Sequence, residues 1–482
     1  MTTERREFLA RAAAGLAGAG LAGFGPSGLI EAHAASRTAG DVPPARFGRK
    51  QGATGKRGMA VTAHPIATRA AIDVLKAGGN ACDGALAASV MQTVVEPHMT
   101  TITGCLSLLY YDAATKKSSY INGGITAPLA GLPGFSAADL RTGRGAGVPG
   151  WWAGFEAALA KHGSKSRAEL VRPAIDMARN GFTIHPFLFG EMFSQLDTIG
   201  VTPEGRRIYM PEGSLLSPGQ LLKQPESAET LEHLAAEGNA YFYHGEFARK
   251  YCEVVKAAGG VITQEDFDRY EARYQEPARS TYRGYEIAAS PPPDNGGTHI
   301  IEALNMLELL DLKRWGPPTD SPETLYYMVR ITNEVMAAGA KQTDPRSHPV
   351  PLDLILSKEY ARMRLDLLKM ADGAESARPA PPPGSNHVTV VDEPGNVATI
   401  LHSVMALPWS NGLFVGGFGV AASGGHFLRV MPKPGDRASA YVAPNILFKD
   451  GKPVLASGSP SVGLIANILQ NTVNILDFGI PI

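Results

Sequence analysis

Small and apolar residues run almost without a break from Ala81 to Val95, a pattern that predicts a helix buried on every side. Ahead of it, Pro65 opens a helical pattern in which Ala70, Val74 and Leu75 share a face. Gly78-Gly79-Asn80 ends that pattern with residues that tolerate positive φ. Gly58–Thr62 reads as a short strand before both helices. Helical spacing recurs at Trp151–Ala160, Arg167–Asn180, Ser227–Glu237, Gly245–Ala258 and Pro322–Gly339, so the middle of the chain reads as mostly helical. Within it Tyr282–Ala289 alternates as a strand, and Pro291-Pro-Pro-Asp-Asn-Gly-Gly297 breaks it. No repeat recurs at a fixed period.

The pattern changes after Ala377-Arg-Pro-Ala-Pro-Pro-Pro-Gly384. His387–Val391 alternates, Asp392–Asn396 is a turn, and Val397–Ser403 returns antiparallel. Tyr441–Lys449 and Pro453–Ser457 form a second strand pair around Asp450-Gly451. Helices followed by paired strands predict an α+β layered sandwich.

Charge narrows the partners. The 482 residues carry 45 Lys+Arg against 46 Asp+Glu, so there is no basic surface for nucleic acid. No apolar run reaches about 18 residues, so no membrane span is expected in the mature chain. The histidines are scattered without ligand spacing, and neither a metal nor a cofactor is expected. Cys82, Cys105 and Cys252 lack paired spacing and read as core residues.

The first residues read as an export signal. Arg5-Arg6 precedes a weakly apolar stretch from Ala12 to Phe24, and Ala32-His33-Ala34 supplies a small-x-small cleavage site. Residues 1–34 are therefore expected to be a twin-arginine signal. The mature chain would begin at Ala35 with a linker and reach the periplasm or the exterior.

Several segments in fixed order carry a resemblance. They are Gly58-Met-Ala-Val-Thr-Ala-His-Pro65, Lys76-Ala-Gly-Gly-Asn-Ala-Cys-Asp83, Val94-Val-Glu-Pro97, Gly147-Val-Pro-Gly150, Pro173–Phe182, Tyr282-Arg-Gly-Tyr285, Pro291–Gly297 and Leu356–Tyr360. From Gly58 onward the chain resembles the γ-glutamyltranspeptidase family of N-terminal-nucleophile hydrolases. The resemblance implies a four-layer α/β/β/α sandwich. It also implies a catalytic segment at Gly384-Ser-Asn-His-Val-Thr-Val-Val-Asp392, where the family's nucleophilic Thr is replaced by Ser385.

On this reading the chain cuts itself between Gly384 and Ser385. The new α-amine, which titrates near pH 8, then serves as the base for the adjoining hydroxyl. Ser403 stands where the family has a second hydroxyl, and His387 matches the motif histidine. Gly458-Ser-Pro-Ser-Val462 resembles the family's Gly-Ser-Pro-Gly-Gly, which implies oxyanion donors in the backbone N–H groups of Ser461 and Val462. A β-branched Val does not readily hold positive φ. Residues 35–384 would form a large fragment and 385–482 a small one, associated after cleavage. The family pattern continues beyond Ile482, so the small region reads as truncated at its C-terminus.

The substrate-reading positions depart from the family. Gly124 stands in place of an arginine, and nothing nearby in the sequence replaces it. Ala440-Tyr441 replaces a Ser-Ser pair, Met405 an Asn, and Ala421–His426 lacks an acidic pair. The expected function is hydrolysis of a small amide, or acyl transfer from it, with water or an amine as acceptor and an acyl donor that need not be γ-glutamyl. The alternative is an exported binding protein that keeps the fold without the chemistry. By spacing alone, Gly384-Ser385 reads first as the end of a Pro-rich linker; Ser403 can be an ordinary strand serine, and His387 a residue that fixes its strand rather than one that transfers protons.

Overall fold

The computed structural model describes residues 52–339, 343–370, 385–460 and 463–481. Ten strands matter here: β1 (Gly58–Thr62), β2 (Cys105–Asp112), β3 (Lys117–Gly123), β4 (Arg273–Gln275), β5 (Ala278–Tyr282), β6 (Tyr285–Ala289), β7 (Ser385–Asp392), β8 (Val397–Ser403), β9 (Asn445–Lys449) and β10 (Lys452–Ser457). They form two sheets, one in the order β1-β7-β8-β2-β3-β4 and the other β10-β9-β6-β5, and every pairing is antiparallel.

Period-2 alternation divides the side chains between layers. On the larger sheet Leu106, Leu108, Val388, Val390, Ala398 and Ile400 face helices, in one core with α1 (Pro65–Lys76), α2 (Ala81–Val95), α3 (Trp151–His162), α4 (Arg167–Asn180) and α5 (Pro225–Glu237). Leu109, Tyr111, Tyr120 and Val397 face the other way and meet Ala288, Ile446 and Phe448 of the smaller sheet. Beyond that sheet, Ile287, Ala289 and Leu447 pack under α6 (Gly296–Leu307), α7 (Pro322–Gly339), α8 (Lys358–Met370) and α9 (Leu464–Leu476). The result is the expected four-layer α/β/β/α sandwich.

Local chemistry explains the helix starts. Pro65 is the first residue of α1, whose cap is the His64 ring accepting from the Ile66 N–H at 3.2 Å. Asn80 and Asp83 form a reciprocal capping box on α2, and all fifteen residues of that helix are buried, as its composition predicts. At the start of α6, Gly296 and Gly297 admit the backbones of Tyr441 and Ser290 into space that a Cβ would occupy.

Three expectations are corrected. Tyr282–Ala289 is not one strand, because Arg283 and Gly284 take φ of 49° and 80° and turn it into the β5–β6 hairpin. The strand expected over Tyr441–Lys449 begins only at Asn445. Pro444 has no N–H for the ladder, and the backbone before it bonds instead to the Pro293–Asn295 loop. The order of helices then strands also fails, since β1 to β6 all precede the Pro-rich segment.

Candidate active site

Ser385 is the first residue of β7 and pairs with Ser403, the last of β8; Ser403 in turn pairs with Cys105 at the start of β2. Leu106 pairs with Gly123, so the same row runs on to Gly124 just past β3. Directly paired residues point to the same face, which for this row is the face between the sheets. The Ser385 hydroxyl donates to Ser403 Oγ at 3.1 Å, and the Met405 N–H donates to that same oxygen at 2.8 Å. Both serines are buried.

His387 lies two residues along the same face. Its Nε2 is 2.7 Å from Thr399 Oγ1, and burial lowers its pKa to about 4. The ring is therefore neutral at neutral pH and ties β7 to β8. Gly458 lies against it: a Cβ there would stand 2.2 Å from His387 Cδ2 and 2.3 Å from Nε2. The Gly458–Pro460 loop is thus brought to β7. Gly384, Ser461, Val462 and residues 1–34, expected from sequence to be an export signal, fall outside the described residues.

The other face of the same strands holds a network that sequence reasoning missed. Trp151 Nε1 can only donate, and it does so to His402 Nδ1 at 3.2 Å, so His402 carries its proton on Nε2. That proton goes to Gln92 Oε1 at 2.9 Å. The Gln92 amide nitrogen then donates to Glu96 Oε2 at 2.8 Å, and Asn386 Nδ2 donates to the same oxygen at 3.0 Å. Glu96 had been noted only as part of a family segment. Its only local signal is an acidic residue closing a helix that is buried on every side.

At the far end of the row an arginine and an aspartate stand beside Gly124. Arg437 fills the neighbourhood of Gly124, its Cδ 3.5 Å from where a Cβ would sit. Its guanidinium lies 4.1 Å over the Tyr270 ring and bonds Thr126 Oγ1 and the Glu271 carbonyl. So a guanidinium does stand beside Gly124 in space, although none is near it in sequence, and its Nη groups are already engaged. Next to it Asp294 Oδ2 accepts from Tyr120 (2.6 Å), Asn122 (2.6 Å) and Ser107 (2.7 Å). Its Oδ1 is buried without a partner, and burial raises its pKa. Sequence alone places Asp294 only within the Pro291–Gly297 segment, which breaks a strand and carries part of the resemblance.

Between the two ends the lining is apolar. Met405, Ala440, Val442, Leu401, Cys105 and Phe427 share one buried cluster. Tyr441 carries the Arg429 guanidinium 3.7 Å over its ring, and His426 Nδ1 donates to the Ser439 carbonyl at 3.0 Å. The structure thus brings Met405 and Ala440 into one cluster, while Tyr441 packs in the core under the second helical layer. Among the described residues no group of His, Cys, Asp or Glu is arranged to hold a metal.

Known proteins resemble the chain over most of its length. The pattern of the family described as Gamma-glutamyltranspeptidase matches residues 67–482. The glutathione hydrolase proenzyme of Bacillus subtilis (strain 168) is 30% identical over 91% of this chain and 81% of its own length. The acylase ACY 1 proenzyme of Pseudomonas sp. (strain V22) is 32% identical over 89% of this chain and 81% of its own. Among solved structures, cephalosporin acylase from Bacillus halodurans gives a TM-score of 0.77 at 25% identity, over 91% of this chain and 84% of that one. Helicobacter pylori γ-glutamyltranspeptidase gives 0.64 at 28% identity, over 69% and 97%.

Proposed function

The chain belongs to the γ-glutamyltranspeptidase family, and from that premise we propose that it is an exported enzyme that cuts itself before Ser385 and uses Ser385 to hydrolyse, or transfer the acyl group of, a small non-γ-glutamyl amide. The observation that carries this reading is the hydroxyl pair, with Ser385 donating to Ser403 Oγ at 3.1 Å at the head of a central strand.

In the first step Ser385 Oγ attacks the Gly384 carbonyl, and the acyl group moves from nitrogen to oxygen. That shift frees the α-amine of Ser385, and water then hydrolyses the ester, releasing the Gly384 carboxylate and restoring the Ser385 hydroxyl. With a substrate, that amine takes the hydroxyl proton as Oγ attacks the amide carbonyl. Backbone N–H groups of Ser461 and Val462 are proposed to receive the oxyanion, since such donors survive a change of side chain. The proton passes to the leaving amine, and water or an amine acceptor resolves the ester. The serine for threonine exchange loses only the methyl that restricts χ1.

The donor assignment follows from the far end of the row. With Gly124 side-chain-free, Arg437 engaged by Thr126 and Glu271, and Met405 and Ala440 in an apolar cluster, the contacts suited to an amino-acid head group are missing. The glutathione hydrolase and acylase relatives both fit a scaffold that accepts more than one acyl group. The binding-protein alternative would leave the buried, hydrogen-bonded hydroxyl pair without a purpose.

Intact-mass analysis tests the proposal. The mature protein should give a large fragment from Ala35 to Gly384 and a small one beginning at Ser385. Ser385→Ala should remain one chain without activity, and Ser385→Thr should still cleave. An uncleaved yet active enzyme would overturn the mechanism, because no α-amine would exist to act as base. Changing Arg5 and Arg6 to Lys should hold the protein in the cytoplasm; normal export of that variant would reject the signal.

A further inference from the structure

We propose that Glu96, with Gln92, is a positioning clamp that fixes Ser385 and Ser403 in place by holding their neighbours Asn386 and His402 from the helical side of the sheet. The inference rests on the reading of Ser385 as the self-cleaving nucleophile. Strand alternation makes it possible, since a residue next to a hydroxyl that faces the inter-sheet space must itself face α2. Asn386 follows Ser385, His402 precedes Ser403, and the two are directly paired across β7 and β8. Gln92 and Glu96 are four residues apart at the end of α2, the spacing that places two side chains on one face of a helix. Gln92 takes the His402 proton, Glu96 takes the Asn386 amide, and Gln92 donates to Glu96. The clamp therefore closes on itself and on the strand pair that carries both hydroxyls.

The carboxylate is the strongest acceptor in this chain of bonds, so its ionisation sets how firmly Asn386 is held. Burial raises the Glu96 pKa to about 7, against the lowering effect of the bonds from Gln92 and Asn386. Of the other ionisable groups around the row, Asp294 sits at its far end, where burial raises its pKa, and the Glu96→Gln variant leaves it unchanged. Burial holds His402 at about 3, His387 at about 4 and His98 at about 3, and it pushes the Cys105 thiol well above its usual range. In the uncut precursor Ser385 has no free amine, so that group cannot titrate either.

The experiment follows freshly made precursor as it cleaves, between about pH 6 and about pH 8. Cleavage should quicken about tenfold as Glu96 ionises, with a midpoint near 7. Glu96→Gln keeps the shape but not the charge, and should cleave at the slow rate at every pH. A second readout uses the uncleavable Ser385→Ala precursor and the Asn386 side-chain amide in its 15N spectrum, assigned by its loss in Asn386→Ala. That signal should titrate near 7 and stop doing so in Glu96→Gln. A Glu96→Gln protein that keeps the pH dependence, or an Asn386 signal that ignores pH, overturns the clamp and leaves the Ser385 reading standing. A precursor that never cleaves, yet whose Asn386 signal titrates through Glu96, supports the clamp and refutes the self-cleavage reading.

Discussion

At the Ser385 end of the row two hydroxyls face each other across a strand pair, with a closed hydrogen-bond network beneath them. At the Gly124 end, two strands beyond Ser403, an arginine from another segment leans over a glycine and a buried aspartate gathers three donors on one oxygen. The ends differ in what determines them. The hydroxyl pair depends on the register of β7 and β8, which seven paired positions enforce together. The Gly124 end depends on single side chains at strand ends and in loops, each of which can change alone. The half of a site built from register endures, and the half built from individual contacts is free to drift.

The sharpest way to break this comparison is a γ-glutamyl anilide. If the Gly124 end is rebuilt, turnover should fall at least about a thousandfold below that of the B. subtilis glutathione hydrolase, because several contacts to charged groups, each typically worth about 1.5–3 kcal/mol, are absent. Gly124→Arg should recover little, since a Cβ there already meets Asn122 Oδ1 at 3.1 Å and Arg437 Cδ at 3.5 Å. Brisk wild-type release of the aniline would show that the two ends had not diverged.

A second prediction concerns the Ser385 end, which rests on neutral imidazoles on both faces. His387 and His402 have folded pKa values of about 4 and about 3, below the ordinary value near 6.5. Their contribution is complete above about pH 6.5 and is lost as pH falls toward 4, because the unfolded chain takes up protons that the folded one refuses. Near pH 5 the loss is about 2 kcal/mol for each histidine, partly offset by Glu96, whose raised pKa acts in the opposite sense. Urea midpoints at pH 7.5 and 5 measure it, and equal midpoints would contradict the burial argument.

Smaller effects sharpen the picture. Gly458→Ala drives a methyl into the His387 ring and should cost about 1–2 kcal/mol, read as a lower unfolding temperature; an unchanged temperature would mean the loop moves freely. Ser403→Ala removes the acceptor of the Ser385 hydroxyl and should slow self-cleavage about tenfold without stopping it. Complete loss would assign Ser403 a larger part.

What could be read from sequence tracks the same division. The β7–β8 hairpin shows its alternation and its Asp392–Asn396 turn, and its bounds were legible to within two residues. Its partners β2 and β3 were not anticipated. Cys105–Asp112 is buried on both faces except at its last residue, so its apolar run lacks the alternation that marks a strand; only the turn at Ala113–Lys116, with Lys116 at φ 57°, signals the hairpin. Glu96 and Asp294 escaped notice for another reason. Their partners lie 290 residues away at Asn386 and more than 170 residues away at Tyr120 and Asn122, a proximity that no local spacing encodes.

The strand order has a thermodynamic consequence. The break before Ser385 would fall within the weave of both sheets: β7 lies against β1, β8 against β2, and β9 against β6, so strands from either side of the break are neighbours in each sheet. Severing the connection would remove a tether without removing an interface. Unfolding would then release two molecules where it had released one, and mass action would make the melting temperature rise with protein concentration in the nicked form, while the uncut chain melts at one temperature whatever its dilution.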